Sequence, residues 1–154
     1  MADLRAEQIL AAIKPLITGL ATTGQNVQRG QVHDHEADKL PALSLSMGQD
    51  IPANEYQTGV IDWELTIVIE ATASVGAAYT ATESGLDGDL NQIRKELYLA
   101  IMADHTLGLD FVIDIAPGPA NEPILSAEGS LPVGSQASEF VITYRASRTD
   151  ISEG

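Results

Sequence analysis

The sequence contains no cysteine, few basic residues and a single tryptophan. Without cysteine the chain can form no disulfide, no thiolate metal site and no cysteine nucleophile, which fits a reducing cytoplasm. Only 8 basic residues accompany 22 acidic ones, and the net charge of −14 repels DNA, RNA and anionic membranes. We therefore expect no membrane partner and no sequence-specific binding of nucleic acid, although DNA could still pass such a surface without being held.

Motifs that direct a chain to membranes or to common catalytic chemistry are missing as well. The most apolar stretch near the start, residues 9–20, is broken by Lys14 and Pro15, so we expect neither a signal peptide nor a membrane span of roughly 20 apolar residues. The sequence has no phosphate-binding glycine loop and no Gly-x-Ser-x-Gly turn of a serine hydrolase. We therefore predict no cofactor and no catalytic residues, and expect that the protein is not an enzyme.

The clearest pattern that is present is an alternation of apolar and polar residues across residues 61–74. A period of two predicts a half-buried β-strand, with Trp63 on the core side and the carboxylates of Asp62, Glu64 and Glu70 on the other. At about 3.3 Å per residue the strand would run roughly 45 Å, further than the roughly 40 Å width of a compact domain of this size. It should therefore bend at a bulge or extend beyond its domain, leaving backbone groups for a neighbouring subunit.

Two amphipathic helices and five further strands complete the predicted elements. The helices are expected at residues 3–20, with a kink or break at Pro15, and at residues 89–103. The predicted apolar stripes are Leu4, Ile9, Leu10, Ile13, Leu16, Ile17 and Leu20 in the first helix and Leu90, Ile93, Leu97 and Ile101 in the second. The other strands are expected at residues 26–32, 40–47, 109–116, 124–131 and 139–147. In the strand at 109–116, the alternation predicts that Phe111, Ile113 and Ile115 face inward. This order predicts an α+β fold, with two helices packed on one face of a mainly antiparallel twisted sheet. We expect one domain over residues 1–148 and a flexible C-terminal tail at residues 149–154.

Two connections contain several turn-forming residues. Residues 48–59 begin and end with glycine and include Pro52, which predicts a long mobile hairpin loop. The residues of this loop that we expect to contact other subunits are Gln49, Asp50, Glu55 and Tyr56. Residues 116–123 are rich in proline, which predicts a stiff loop.

The acidic side of the long strand is open to more than one interpretation. Asp62 and Glu64 occupy successive positions on one face, about 7 Å apart. Like charges at that distance destabilise a sheet unless they face water or meet a cation such as Arg145 or Arg148. The face is either an ordinary solvated surface or the lining of a water-filled, negatively charged channel.

A local motif, His33-Asp34-His35-Glu36, offers the main alternative chemistry. Two imidazoles separated by one residue lie on the same side of an extended chain, and neighbouring carboxylates could complete a zinc or iron site. The alternative hypothesis is therefore a small metal-dependent enzyme that uses His33 and His35. The simpler interpretation is a polar connection between two strands.

Several motifs, in the same order along the chain, resemble those of one protein family. The first are residues 16–24 (LITGLATTG), 26–32 (NVQRGQV) and 40–43 (LPAL). The long strand at 63–73, the helix end MADHTLG at 102–108 and the closing VITYR at 141–145 follow. Together they resemble tail-terminator, or tail-completion, proteins of long-tailed bacteriophages and related gene transfer agents.

This resemblance implies an α+β structural subunit that forms a hexameric ring at the head-proximal end of a virion tail, after synthesis in the host cytoplasm. The ring would stop polymerisation of the tail tube and present a surface to the head-completion, or neck, protein. Genomic DNA would pass through an acidic channel without specific binding, which fits phosphate repulsion by Asp62, Glu64 and Glu70. Residues 33–36 and 116–123 depart from the family pattern, so the resemblance assigns no site residues there.

Two further hypotheses share parts of this pattern. Another neck or head-closure component could have a similar fold, and its sequence would be difficult to distinguish. An acidic protein that imitates DNA would also have a strongly negative charge, but it needs phosphate-like spacing over a broad surface, and only one such strand is visible.

Overall fold

The computed structural model describes residues 3–30, 40–55, 59–74, 85–126 and 133–152. The helices are α1 (Arg5–Ile17) and α2 (Gly85–Met102), and the strands are β1 (Val27–Arg29), β2 (Ala42–Glu55), β3 (Val60–Ser74), β4 (Val112–Ala120), β5 (Ile124–Ser126) and β6 (Val133–Ser147). The strands form one sheet in the order β1-β2-β3-β6-β4, and β5 also pairs with β6. Only the β1–β2 pair is parallel among these strands, so the predicted α+β class with a mainly antiparallel sheet is confirmed.

The centre of the sheet is a long ribbon of β3 and β6. The two strands pair without a register shift over 15 residues each, from Val60 opposite Ser147 to Ser74 opposite Val133. The register shifts lie in the flanking strands. Strand β2 has them after Met47 and after Pro52, and β4 has them after Val112 and after Pro117. The long strand predicted from the alternation is therefore continuous, and its neighbours accommodate the bulges.

Both helices contribute to a single hydrophobic core on one face of the sheet. The predicted apolar stripe of α2 is confirmed, because Leu90, Ile93, Leu97 and Ile101 are all fully buried. On the sheet side, the core includes the alternating residues Leu65, Ile67, Ile69, Phe140, Ile142 and Tyr144. Trp63 is partly buried and packs against this core, as its position in the alternation predicts.

Helix α1 differs from its prediction at both ends. Pro15 lies inside the helix, which continues to Ile17 rather than breaking at the proline. The proline is in the last turn, so the loss of one backbone hydrogen bond affects little of the helix that follows. The predicted apolar stripe is shorter than expected, because Leu4 and Leu16 are exposed while Ile9 and Ile13 are buried.

The prediction of a hairpin loop at residues 48–59 is wrong over its first part. Strand β2 continues through Gly48 to Glu55, so Gln49, Asp50 and Glu55 are strand residues; Tyr56 lies outside the described residues. A Cβ atom at Gly48 would lie 3.1 Å from the carbonyl oxygen of Thr66, so glycine allows close approach to β3. Pro52 is tolerated because β1 pairs only with residues 43–45, leaving the outer side of β2 at Pro52 without a described strand.

The prediction of a stiff loop at residues 116–123 is also wrong over most of its length. Strand β4 extends to Ala120 and carries Pro117 and Pro119. Because β4 lies at the edge of the described sheet, a proline there need not remove a hydrogen bond between strands. The bulge after Val112 changes which residues face inward, so Ile113 is exposed although the alternation predicts it to be buried.

The segment predicted as a flexible C-terminal tail contacts the rest of the domain through Ile151. Ile151 is partly buried against the core. Its carbonyl oxygen accepts a hydrogen bond of 3.4 Å from the backbone N–H of Arg5, at the start of α1. The end of the described chain thereby lies beside the beginning of the first helix.

Candidate assembly surface

The sheet face opposite the helices carries a group of carboxylates. In an antiparallel sheet, residues directly opposite each other share a face. Glu64 and Asp114 both lie opposite Thr143, and Glu139 lies opposite Val68, so their side chains share the face of Glu70. Among the described residues, none forms an ion pair or a side-chain hydrogen bond with these four carboxylates. This acidic face is therefore available to water or to another molecule.

Asp62 lies on the same face but is not open to water. Asp62 is only 3% exposed and lies directly opposite Arg145 of β6. Arg145 donates from Nε to Oδ1 at 2.7 Å and from one terminal nitrogen to Oδ2 at 3.2 Å. The strand pattern alone did not decide whether Asp62 faces water or meets Arg145, and the structure shows that it pairs with Arg145. Of the residues predicted to face a channel, Asp62 is paired, whereas the carboxylates of Glu64 and Glu70 have no partner among the residues that the structure describes. The channel itself stays a prediction.

Asp50, predicted as an assembly contact in a loop, is instead a partly buried strand residue. The bulge after Met47 places it opposite Leu65, on the core side of the sheet. Its Oδ2 accepts a 2.7 Å hydrogen bond from the hydroxyl of Tyr144, which is fully buried. Burial raises the pKa of the Asp50 carboxyl, while the Tyr144 hydrogen bond opposes that change. Burial, together with the same hydrogen bond, raises the pKa of Tyr144 well above its usual range.

An arginine and an aromatic ring extend this polar pair toward α1. The ring of Phe111 meets Tyr144 edge to face, with centroids 6.5 Å apart. The guanidinium of Arg5 lies 4.4 Å from the centroid of Phe111 and donates a hydrogen bond to the carbonyl oxygen of Arg145. Arg5, Phe111 and Arg145 are among the residues that line a cavity of about 320 Å³. The contacts of Arg5 join the start of α1 to the end of β6. No local sequence pattern predicts these contacts, because the partners lie far apart along the chain.

The two outer strands of the sheet differ in how they present their edges. On β2, residues beyond Leu45 have no described strand on their outer side, and Met47 and Ile51 are 54% and 47% exposed. On β4, Pro117 and Pro119 lack the N–H groups that an added strand would need. The β2 edge is therefore the more suitable of the two for pairing with another chain.

Helix α2 has a basic and apolar outer surface in an otherwise acidic chain. Asn91, Arg94, Lys95, Tyr98 and Leu99 line a shallow cavity of about 350 Å³. Tyr98 is 45% exposed and Leu99 is 61% exposed. Within the described part of the chain, neither Arg94 nor Lys95 has an ion-pair partner.

The candidate metal motif lies outside the described residues, since none of residues 31–39 is among them. Among the residues that are described, no group of three or more His, Asp or Glu side chains could hold a metal ion.

In the described ranges, neither helix combines the length and the apolar character that crossing a membrane requires.

Comparison with known proteins found no matching family model and no matching curated protein.

Proposed function

We propose that this chain is a structural subunit of the tail-terminator type. Six copies form a ring on the head-proximal end of a phage tail tube, stop its polymerisation and present a joining surface to a neck protein. The single observation that best supports this proposal is the acidic sheet face, which neither helix covers. The ordered resemblance of the sequence to tail terminators supplies the biological setting.

The acidic face suits a channel through which DNA moves. The carboxylates of this face, Glu70 and Glu139 among them, repel phosphate groups, so a duplex slides past them without forming the contacts that Lys and Arg would make. The ion pair between Asp62 and Arg145 neutralises one position of the same face. The channel is therefore negative, but the Asp62 carboxylate does not add to the repulsion between the other carboxylates of β3.

The edges and outer surfaces of the subunit suit assembly. The outer side of β2 beyond Leu45 offers backbone groups, and exposed apolar side chains flank it. Because a ring needs two different surfaces on each copy, contacts between neighbours are expected to be head to tail. The net charge of −14 on each copy opposes this association, so screening by salt is expected to favour the ring.

The proposal is tested with purified chain and purified tail tube protein. Native mass spectrometry and light scattering across protein and salt concentrations should show a hexamer, and negative-stain images should show a central pore. Adding the hexamer to polymerising tube protein should shorten the tubes and leave a ring at one end of each. A chain that stays monomeric at every concentration and salt, and leaves tube length unchanged, would overturn the proposal.

A head-closure component would give a different result in the same system. Such a protein would bind purified heads and leave the growth of the tail tube unaffected. Incubation with purified tails and heads in parallel, followed by sedimentation, separates the two functions, because a tail terminator should co-sediment with tails in the absence of heads.

A further inference from the structure

We infer that the β2 edge of one copy docks on the outer surface of α2 in the next copy, so that subunits associate head to tail. This inference rests on the proposed ring and names the contact that would build it. The docking segment is residues 46–54 of β2. The receiving surface is the α2 patch, defined as Asn91, Arg94, Lys95, Tyr98 and Leu99.

The α2 patch has the chemistry of a docking surface. Asn91, Lys95 and Leu99 are spaced four residues apart, as are Arg94 and Tyr98, so all five lie on one side of the helix. The exposed side chains of Tyr98 and Leu99 lie beside the cations of Arg94 and Lys95. Neither cation forms an ion pair with a described carboxylate. Arg94 and Lys95 are also 2 of the 8 basic residues in the chain, so this positive charge is concentrated.

The β2 edge offers complementary groups. Met47 lies opposite the buried Ile67, so it projects on the helix side of the sheet. Ile51 lies opposite Glu64, so it projects on the acidic side, beside a carboxylate that has no described partner. The β2 edge therefore presents one apolar side chain on each face of the sheet and a negative charge next to Ile51. The α2 patch presents apolar side chains and positive charge, so the two surfaces are complementary.

Charge complementarity favours a second copy as the occupant in this head-to-tail arrangement. Pairing the α2 patch with itself would bring Arg94 and Lys95 of two copies together, and like charges at an interface are unfavourable. Pairing the patch with the β2 edge brings Lys95 toward Glu64 of the other copy. Such a contact uses a different surface on each partner. Repeated contacts close into a ring if the rotation between neighbouring copies divides a full turn evenly. It also leaves Glu70 and Glu139 free to face the channel.

A charge-exchange experiment tests this contact. Lys95→Glu and Glu64→Lys should each raise the protein concentration needed for half-maximal hexamer by at least tenfold, measured by light scattering. The double variant Lys95→Glu/Glu64→Lys should recover most of the lost assembly, because each contact again joins opposite charges. An equal mixture of the two single variants should also recover hexamers, with the two chains alternating.

Matched controls separate the local contact from the change in net charge. Lys14→Glu changes the charge as Lys95→Glu does, but on the exposed side of α1. Glu139→Lys changes it as Glu64→Lys does, but on β6. Both controls should form hexamers within about twofold of the unmodified protein. Thermal unfolding of each variant should confirm that the fold is retained.

Cysteine cross-linking provides an independent measurement, because the chain contains no cysteine of its own. The double variant Ile51→Cys/Leu99→Cys should give an oxidised ladder of covalent species up to hexamer. Either single variant should give at most a dimer. The ladder requires both surfaces on every copy, so it reports head-to-tail contact directly.

The results distinguish this inference from the proposed function. If the unmodified protein forms hexamers but Lys95→Glu and Glu64→Lys behave like their controls and no ladder appears, the docking contact is wrong and the ring stands. If only Glu64→Lys weakens assembly, the β2 edge meets some surface other than α2, and the inference is overturned. If the unmodified protein forms no ring at all, both the contact and the proposed function fail.

Discussion

The hydroxyl of Tyr144 on β6 donates a 2.7 Å hydrogen bond to Oδ2 of Asp50 on β2, although β3 lies between these two strands in the sheet. Tyr144 lies opposite Trp63 of β3, and Asp50 lies opposite Leu65 of the same strand, so the hydrogen bond crosses β3. The other oxygen of that carboxylate, Oδ1, is buried and has no hydrogen-bond partner among the described residues. One hydroxyl therefore supplies the carboxylate's only hydrogen bond in the described structure.

Replacing Tyr144 with phenylalanine should lower the free energy of unfolding by about 1–3 kcal/mol, because it leaves the partly buried carboxylate of Asp50 without its hydrogen-bond donor. Urea denaturation followed by circular dichroism measures the change. Tyr98→Phe is the matched control, since Tyr98 is 45% exposed, and should change the stability by no more than about 0.5 kcal/mol. Equal effects at the two positions would show that the Asp50 contact adds nothing to stability.

The stability contributed by Asp50 should fall with rising pH. Burial raises the pKa of this carboxyl above its ordinary 3.8, so the folded state binds the proton more tightly than the unfolded chain does. The contribution is full below pH 3.8 and is lost as the pH rises through the raised pKa of the folded state. The Asp50→Asn variant has no carboxyl to titrate at this position. Its free energy of unfolding, relative to that of the unmodified protein, should therefore increase between pH 3.5 and 7. A relative stability that is constant or falls over this range would contradict the prediction.

Arg145→Met should destabilise the fold by about 1.5–3 kcal/mol, because it removes two charge-assisted hydrogen bonds from the buried Asp62. The double variant Asp62→Asn/Arg145→Met should recover part of that loss, since no charge is then buried. Arg94→Met, on the exposed side of α2, is the control and should be nearly neutral. A double-mutant cycle in urea measures the coupling between Asp62 and Arg145, and a coupling near zero would mean that their pairing contributes nothing.

Leu97→Ala should cost about 2–5 kcal/mol, because Leu97 is fully buried between α2 and the sheet. Leu99→Ala, two residues further along the same helix, should cost no more than about 0.5 kcal/mol, because that side chain is 61% exposed. Both are measured at a concentration where the chain is monomeric. A large loss of stability for Leu99→Ala in the monomer would show that the Leu99 side chain packs against the rest of the chain.

Glu70→Lys should leave folding and ring formation intact but impair DNA passage, because a lysine in the channel attracts phosphate. Glu70→Gln should have a smaller effect, since it removes charge without reversing it. Retention and ejection of DNA are measured in particles assembled with each variant. Unchanged ejection for Glu70→Lys would place this face on the outside of the ring. Asp62→Lys is unsuitable for this purpose, because Asp62 is buried against Arg145.

Local periodicity was enough to predict the class of fold and most of its core. The alternation along β3 and β6 and the four-residue stripe on α2 each identify a buried face, because the geometry of a strand or helix fixes which side chains share a side. Leu65, Ile67, Ile69, Ile93 and Leu97 are buried as this reasoning requires. The α+β class follows from the order of such elements.

Bulges and strand edges were not predictable from the same signals. Pro52, Pro117 and Pro119 indicate loops in the sequence, yet all three lie in outer strands. A proline is compatible with a strand only where no neighbour needs its missing N–H, and that depends on the order of the strands in the folded sheet. The same is true of Ile113, whose exposure follows from a bulge.

The chemical environment of each carboxylate was decided by tertiary structure alone. The sequence by itself determined that Asp62, Glu64 and Glu70 share one face of a strand and that the chain is strongly acidic. Folding then paired Asp62 with an arginine 83 residues away, whereas Glu64 and Glu70 have no partner in the described part of the chain. The period of two determines on which face of a strand a side chain lies. Its interaction partners are determined by which strand pairs alongside it in the folded sheet.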